Sequence, residues 1–136
     1  MKELTIAATV ENIETVTTFV NEQLESYDCP MKAQMQIDIA IDELFGNIAH
    51  YAYNPEIGQV TVRVEVVEAP LSVIITFIDN GVPYDPVAKA NPDITLSAEE
   101  REIGGLGIYM VKKSMDEITY EYKDGQNILS IKKNLN

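Results

Sequence analysis

Between Gly58 and Glu68 the valines fall at every second position, and no other stretch constrains the fold as tightly. Val60, Val62, Val64 and Val66 point one way, while Thr61, Arg63 and Glu65 point the other. A period of two belongs to a strand with one face buried and the other wetter. Ala69-Pro70 makes a turn, and Leu71 to Ile78 runs back as a second, more central strand. Lys2 to Ala8, with Leu4 and Ile6 alternating, predicts another strand.

Helical spacing takes over elsewhere. Thr9 to Ser26 carries Ile13, Val16, Val20 and Leu24 as one apolar stripe. Pro30 suits the first turn of a second helix, where its missing N–H costs nothing. That helix runs to about Tyr53, and Asn54-Pro55 ends it. Leu106 to Met115 is a third helix, with Ile108, Val111 and Met115 on one side. Glu117 to Lys123 and Gln126 to Lys133 are strands joined at Asp124-Gly125, a dipeptide that favours a tight hairpin. Positions 83 to 103 show no period and include Pro83, Pro86 and Pro92. Loops of that length are uncommon in compact domains and usually serve a function. The order β-α-α-β-β-loop-α-β-β predicts an α+β fold: a two-layer α/β sandwich whose mixed, mostly antiparallel sheet has its helices on one face.

At 136 residues the chain fits a single domain spanning 1–136. Its net charge of −12, from 22 acidic and 10 basic residues, repels phosphate backbones and argues against a nucleic-acid partner. No apolar run approaches a membrane span, and Met1 to Ile6 lacks the apolar core of a signal peptide, so a soluble cytoplasmic protein is expected. Cys29 is the only cysteine and His50 the only histidine, which removes disulfide frameworks, thiolate metal sites and paired-histidine zinc sites. Cys29 is read as structural. A polyanion would have to be held locally, by backbone amides and a divalent cation.

Two groups of residues can do that. On the second helix, at about 100° per residue, Asn47 lies about 40° round from Glu43, His50 about −20° and Asn54 about 20°. The apolar stripe of Ile37, Ile41, Leu44 and Ile48 occupies a different side. Such polar residues are also what a solvated helix face carries. The apolar flanks Ile39, Ala40, Phe45 and Ala49 favour a largely buried helix, in which polar groups need partners. An amide oxygen such as that of Asn47 is a neutral hard ligand for Mg²⁺, and a carboxylate such as Glu43 can act as a general base.

The second group is a pair of glycine-bearing segments. Asp79 ends a strand, where its carboxylate can accept a hydrogen bond from the exocyclic amine of adenine, and Gly81 would let a planar base approach the backbone. A plain Asp-Asn-Gly turn reads the same way, but Pro83-Tyr84-Asp85-Pro86 after it is more specific than a generic turn. Gly104-Gly105-Leu106-Gly107 opens the third helix, and free N–H groups at helix N-termini bind phosphate. Arg101, crowded by Glu99, Glu100 and Glu102, and Lys112 or Lys113 are read mainly as solvated surface charges.

In combination, Ile41-Asp42-Glu43-Leu44-Phe45-Gly46-Asn47-Ile48-Ala49-His50-Tyr51-Ala52-Tyr53, Asp79-x-Gly81-x-Pro83-Tyr84-Asp85-Pro86 and Gly104-Gly105-Leu106-Gly107-Ile108 resemble the N, G1 and G2 boxes of the GHKL ATPase superfamily. They look most like its small stand-alone branch, the anti-sigma-factor serine kinases. That resemblance implies a Bergerat-type fold, ATP with Mg²⁺ as ligands, and often a homodimer. It assigns Glu43 as catalytic base, Asn47 as Mg²⁺ ligand and Asp79 as adenine contact. Gly81 would line the base, with Gly104, Gly105, Leu106 and Gly107 at the phosphates. The implied acceptor is a serine on a small anti-anti-sigma antagonist, with a sigma factor as a further partner. A phosphoacceptor histidine domain is absent from the sequence, which disfavours a histidine kinase. The alternatives are an ATP-binding module that sequesters a partner, and a simple ATP hydrolase.

Overall fold

A computed structural model describes residues 1–53, 56–68, 70–86 and 105–135, with backbone alone at 105 and 106. Among the described residues, five strands form one sheet: β1 (Lys2–Ala7), β2 (Gln59–Val67), β3 (Ser72–Asp79), β4 (Glu117–Lys123) and β5 (Gln126–Asn134). Their spatial order is β1-β2-β3-β5-β4. The two-layer α+β arrangement expected from the sequence is the one observed. Every neighbouring pair in the sheet is antiparallel, so it contains no mixed pairing.

Register follows from the alternation. Val60, Val62 and Val64 lie opposite Asp79, Phe77 and Ile75, and these in turn face Asn127, Leu129 and Ile131 on β5. All nine side chains point to one face, because residues opposite each other in a ladder share it. The apolar ones are buried there. Asp124 and Gly125 take positive φ of 54° and 77°, the left-handed pair that a two-residue hairpin between β4 and β5 requires.

Three α-helices among the described residues cover that face: α1 (Ile13–Leu24), α2 (Met31–Asn47) and α3 (Gly105–Ser114). Val16, Val20 and Leu24 of α1 are fully buried, as are Ile37, Ile41 and Leu44 of α2 and Val111 of α3. The stripes read from sequence are therefore the packed stripes. No described helix is long and apolar enough to cross a membrane. The α-helical pattern of α2 stops at Asn47, and the chain continues through a π-helical turn, Ile48–Ala52. Asn54 and Pro55, expected to end the helix, lie outside the described residues, as do Pro92, Glu99 to Glu102 and Gly104.

The expectation from the apolar flanks that α2 is largely buried is corrected. Ala40 and Phe45 are buried, but Ile39 is 51% exposed and stands in line with exposed Met35 and Met31. At i, i+4 and i+8 these residues form a ridge on the side away from the sheet. Cys29, just before α2, has its thiol pushed up by burial and then by the Asp38 carboxylate, which favours the protonated form.

Candidate functional site

Because α2 presses Ile41 and Leu44 into the core, Glu43 and Asn47 emerge at its margin, both half-buried. Asn47 looks into a hollow between the end of α2 and the strand ends. The π-turn supplies Ile48, Tyr51 and Ala52 to its wall, and the chain after β3 supplies Val82, Tyr84 and Pro86. Asp79, Tyr120, Asn127 and Leu129 close it from the sheet. The hollow holds about 400 Å³ of empty space, the part open to solvent included. Its walls are largely apolar, with the Tyr51 and Tyr84 rings 6.1 Å apart at one side.

Asp79 is a buried carboxylate, only 4% exposed. Its Oδ1 accepts the Gly81 N–H at 2.9 Å and the Asn127 side-chain amide at 2.9 Å. Among the described residues none donates to Oδ2. One oxygen is thus satisfied by the protein and the other remains an acceptor. Asn127, 5% exposed on β5, is the hub of this corner. Its Nδ2 also donates to the Val82 carbonyl at 2.9 Å, and its Oδ1 accepts from the Tyr84 N–H at 3.2 Å and from the Tyr120 hydroxyl. Burial pushes the Tyr120 phenol up, so it stays a donor. Neither Asn127 nor Tyr120 was singled out from the sequence. The register that sets Asn127 beside Asp79 is a long-range pairing, and the only local hint was a polar residue at an inward position.

The segment after β3 is tied to the π-turn. Val82 donates its N–H to the Ala52 carbonyl at 2.9 Å, and a Cβ on Gly81 would lie 2.3 Å from that same carbonyl oxygen. The close neighbour that Gly81 admits is therefore the backbone of Ala52. Tyr53 accepts the Asn80 N–H at 2.8 Å and donates to the Gln59 carbonyl at 2.6 Å, bridging the end of the π-turn to both strands.

Glu43 is not on the wall of the hollow. It lies against α3, where its carboxylate abuts Gly107. Burial, and then the neighbouring Asp42, push its pKa up from the ordinary glutamate value. His50 is exposed, 6.0 Å from the Tyr51 ring, and does not join the wall. Lys113 holds its ammonium over the Tyr109 ring at 5.6 Å, in the last turn of α3 with Lys112 and far from the helix N-terminus. Gly105 opens α3, while Gly104 and Arg101 fall outside the described residues.

Asn47 and Asp79 thus meet around one hollow, while Gly81 packs against the Ala52 backbone beside it and Glu43 lies one turn back along α2 against Gly107. The donors suit Mg²⁺ with a nucleotide better than a protein-only metal cage. Among the described residues no three His, Cys, Asp or Glu side chains gather as ligands. Mg²⁺ commonly takes one or two protein oxygens and completes its shell with water and phosphate.

Compared with known proteins, residues 6–133 match the model of the histidine kinase-like ATPase domain. A serine-protein kinase RsbW from Bacillus cereus is 33% identical over 98 residues, covering 69% of this chain and 60% of that protein. One from Bacillus mycoides is 32% identical over the same shares. The matched span is thus 60% of the length of these relatives. Among solved structures, the RsbU and RsbW domains of a Mycobacterium tuberculosis protein align over 99% of this chain and 33% of theirs, with TM-score 0.68 and 18% identity. The histidine kinase domain of a blue-light activated kinase from Erythrobacter litoralis aligns over 93% of this chain and 60% of its own, with TM-score 0.56 and 13% identity. At such identities these two likenesses speak to the fold alone.

Proposed function

We propose a protein-serine kinase function from this premise: the chain belongs to the histidine kinase-like ATPase family, whose model spans residues 6–133. The observation that carries the reading is Asp79, a buried carboxylate with one oxygen held by the protein and the other unclaimed, on the same apolar hollow as Asn47. A carboxylate oxygen left open toward an apolar hollow is an acceptor that an amine on a flat apolar ring can use. Adenine has both. Asn47 would offer its amide oxygen to Mg²⁺, and Gly105 to Gly107 would offer the N–H groups of the start of α3 to the phosphates.

Bound there, Mg²⁺ supplies neutralisation of the charge that builds on the transferring phosphoryl group. The chain's own residues do the rest. Glu43 accepts the proton of an incoming serine hydroxyl as its oxygen bonds the terminal phosphorus and the bond to the bridging oxygen breaks, releasing ADP. A carboxylate raised by burial is better matched to that task near neutral pH than an ordinary glutamate.

The acceptor in this reading is a serine on a small anti-anti-sigma antagonist, with a sigma factor as the protein held and released. The kinase would act as a cytoplasmic homodimer. Support comes from the relatives, which are themselves named serine-protein kinases. The test is transfer of labelled γ-phosphate from Mg-ATP to a serine of a small protein that co-purifies from the native cell. The expected result is labelling by the wild type and loss of at least about a hundredfold in rate for Glu43→Gln. Equal rates would overturn the base assignment. ATP binding or hydrolysis with no labelled protein would favour the sequestering module or the simple hydrolase instead.

A further inference from the structure

We infer that Gly107 is a positioning residue for Glu43: the missing side chain at the third position of α3 is what allows the carboxylate to lie against that helix. The inference rests on the reading of Glu43 as the base. A Cβ built on Gly107 would stand 1.9 Å from Oε2 of Glu43, 2.2 Å from Cδ and 2.7 Å from Oε1. The whole carboxylate group, the far end of the Glu43 side chain, occupies the space where any side chain would begin, so it is the group that must shift.

Neither helix can easily move aside. Gly107 is one turn before Val111, which is fully buried, and next to Ile108, which is 3% exposed. Residues four apart share a helix face, so rotating α3 to make room would lift Val111 out of the core. On α2, Glu43 is followed by Leu44 and Phe45 and stands three residues after Ala40, all buried. The backbone on both sides is pinned, and the carboxylate is the group that gives. Displaced from α3, it would swing toward solvent and away from a bound nucleotide. A glycine kept only for a phosphate contact has no reason to sit beside this carboxylate. Gly46 on α2 provides the contrast: a Cβ there meets nothing within 4 Å.

The experiment compares wild type, Gly107→Ala, Glu43→Asp, the double variant Gly107→Ala with Glu43→Asp, and Gly46→Ala. Two readouts are taken: the ¹³C NMR titration of the Glu43 carboxyl in the free protein, and the split of serine phosphorylation into kcat and the KM for ATP. Gly107→Ala is expected to return the Glu43 titration toward the ordinary glutamate range. It should lower kcat by about a hundredfold, the scale of a misplacement of about 1 Å, and leave the KM for ATP within about threefold. Aspartate, one methylene shorter, clears an alanine at 107, so the double variant should be at least about tenfold faster than Gly107→Ala alone, although Glu43→Asp slows the wild type. Gly46→Ala should change neither readout. An unmoved Glu43 titration in a folded Gly107→Ala protein overturns the inference and leaves the base reading standing. So does a double variant slower than both single ones, since that is the pattern of a phosphate-only role. A titration that moves while Glu43→Gln retains full kcat keeps the contact but removes the base.

Discussion

Asp79 and Asn127 are the two residues on which the corner of the hollow depends, and each is buried for the sake of the other. Asn127 shares its amide among a carboxylate, a carbonyl, a backbone N–H and a phenol. Buried polar networks stabilise only when every member is satisfied. Asn127→Ala strips several partners at once and should cost about 3 kcal/mol in denaturant unfolding. A loss below about 1 kcal/mol would mean that water replaces the amide without penalty. Glu43 behaves differently, because its raised pKa means that the folded state prefers it protonated. That contribution is fully present below the usual glutamate range and is lost as pH rises through the raised value. Glu43→Gln should therefore melt above the wild type at neutral pH, the gap closing as pH falls into the ordinary glutamate range. A gap of constant size across that range would contradict the burial argument. At this scale the sequence revealed the residues whose spacing is local: Glu43 and Asn47 on one helix, Asp79 and Gly81 in one turn. Asn127 and Tyr120 stayed hidden because strand register, set by the whole sheet, brings them to Asp79.

Among the elements, the π-helical turn after α2 is the one that shapes the site. An α-helix carried to Tyr53 would present a different set of side chains, and π-turns concentrate where function needs a helix re-aimed. Here the turn sends the Ala52 carbonyl toward Val82 and the Tyr53 hydroxyl between Gln59 and Asn80. Tyr53→Phe keeps the ring and removes both bonds, so it should destabilise by about 1–2 kcal/mol in thermal or urea unfolding. No measurable change would show that the bridge is incidental. The strands and helices themselves were legible, since valine alternation and the Ile37, Ile41, Leu44 stripe are strong periodic signals. The change of hydrogen-bonding pattern at Ile48 was not, because it alters no local composition. The exposure of Ile39, expected on a buried flank, has a related reason: apolar character alone does not say which side of a helix meets the sheet.

For the molecule as a whole, the account rests on an acidic protein holding a polyanion. In the proposed function, a net charge of −12 would oppose ATP except where backbone N–H groups, Asn47 and Mg²⁺ acted together. Binding then shows as stability, because a ligand at about 100 times its Kd adds about 2.7 kcal/mol to unfolding. The two-layer architecture followed from element order in the sequence. The hollow followed only from the closing of the sheet over α2, which no single segment records. The most direct measurement is calorimetric titration with ATP and GTP in the presence of Mg²⁺, on wild type and on Asp79→Asn. The account predicts that the wild type binds ATP at least about tenfold (about 1.4 kcal/mol) more tightly than GTP, and that Asp79→Asn loses most of that difference. Equal affinities for the two nucleotides in the wild type, or no heat with ATP at all, would contradict it.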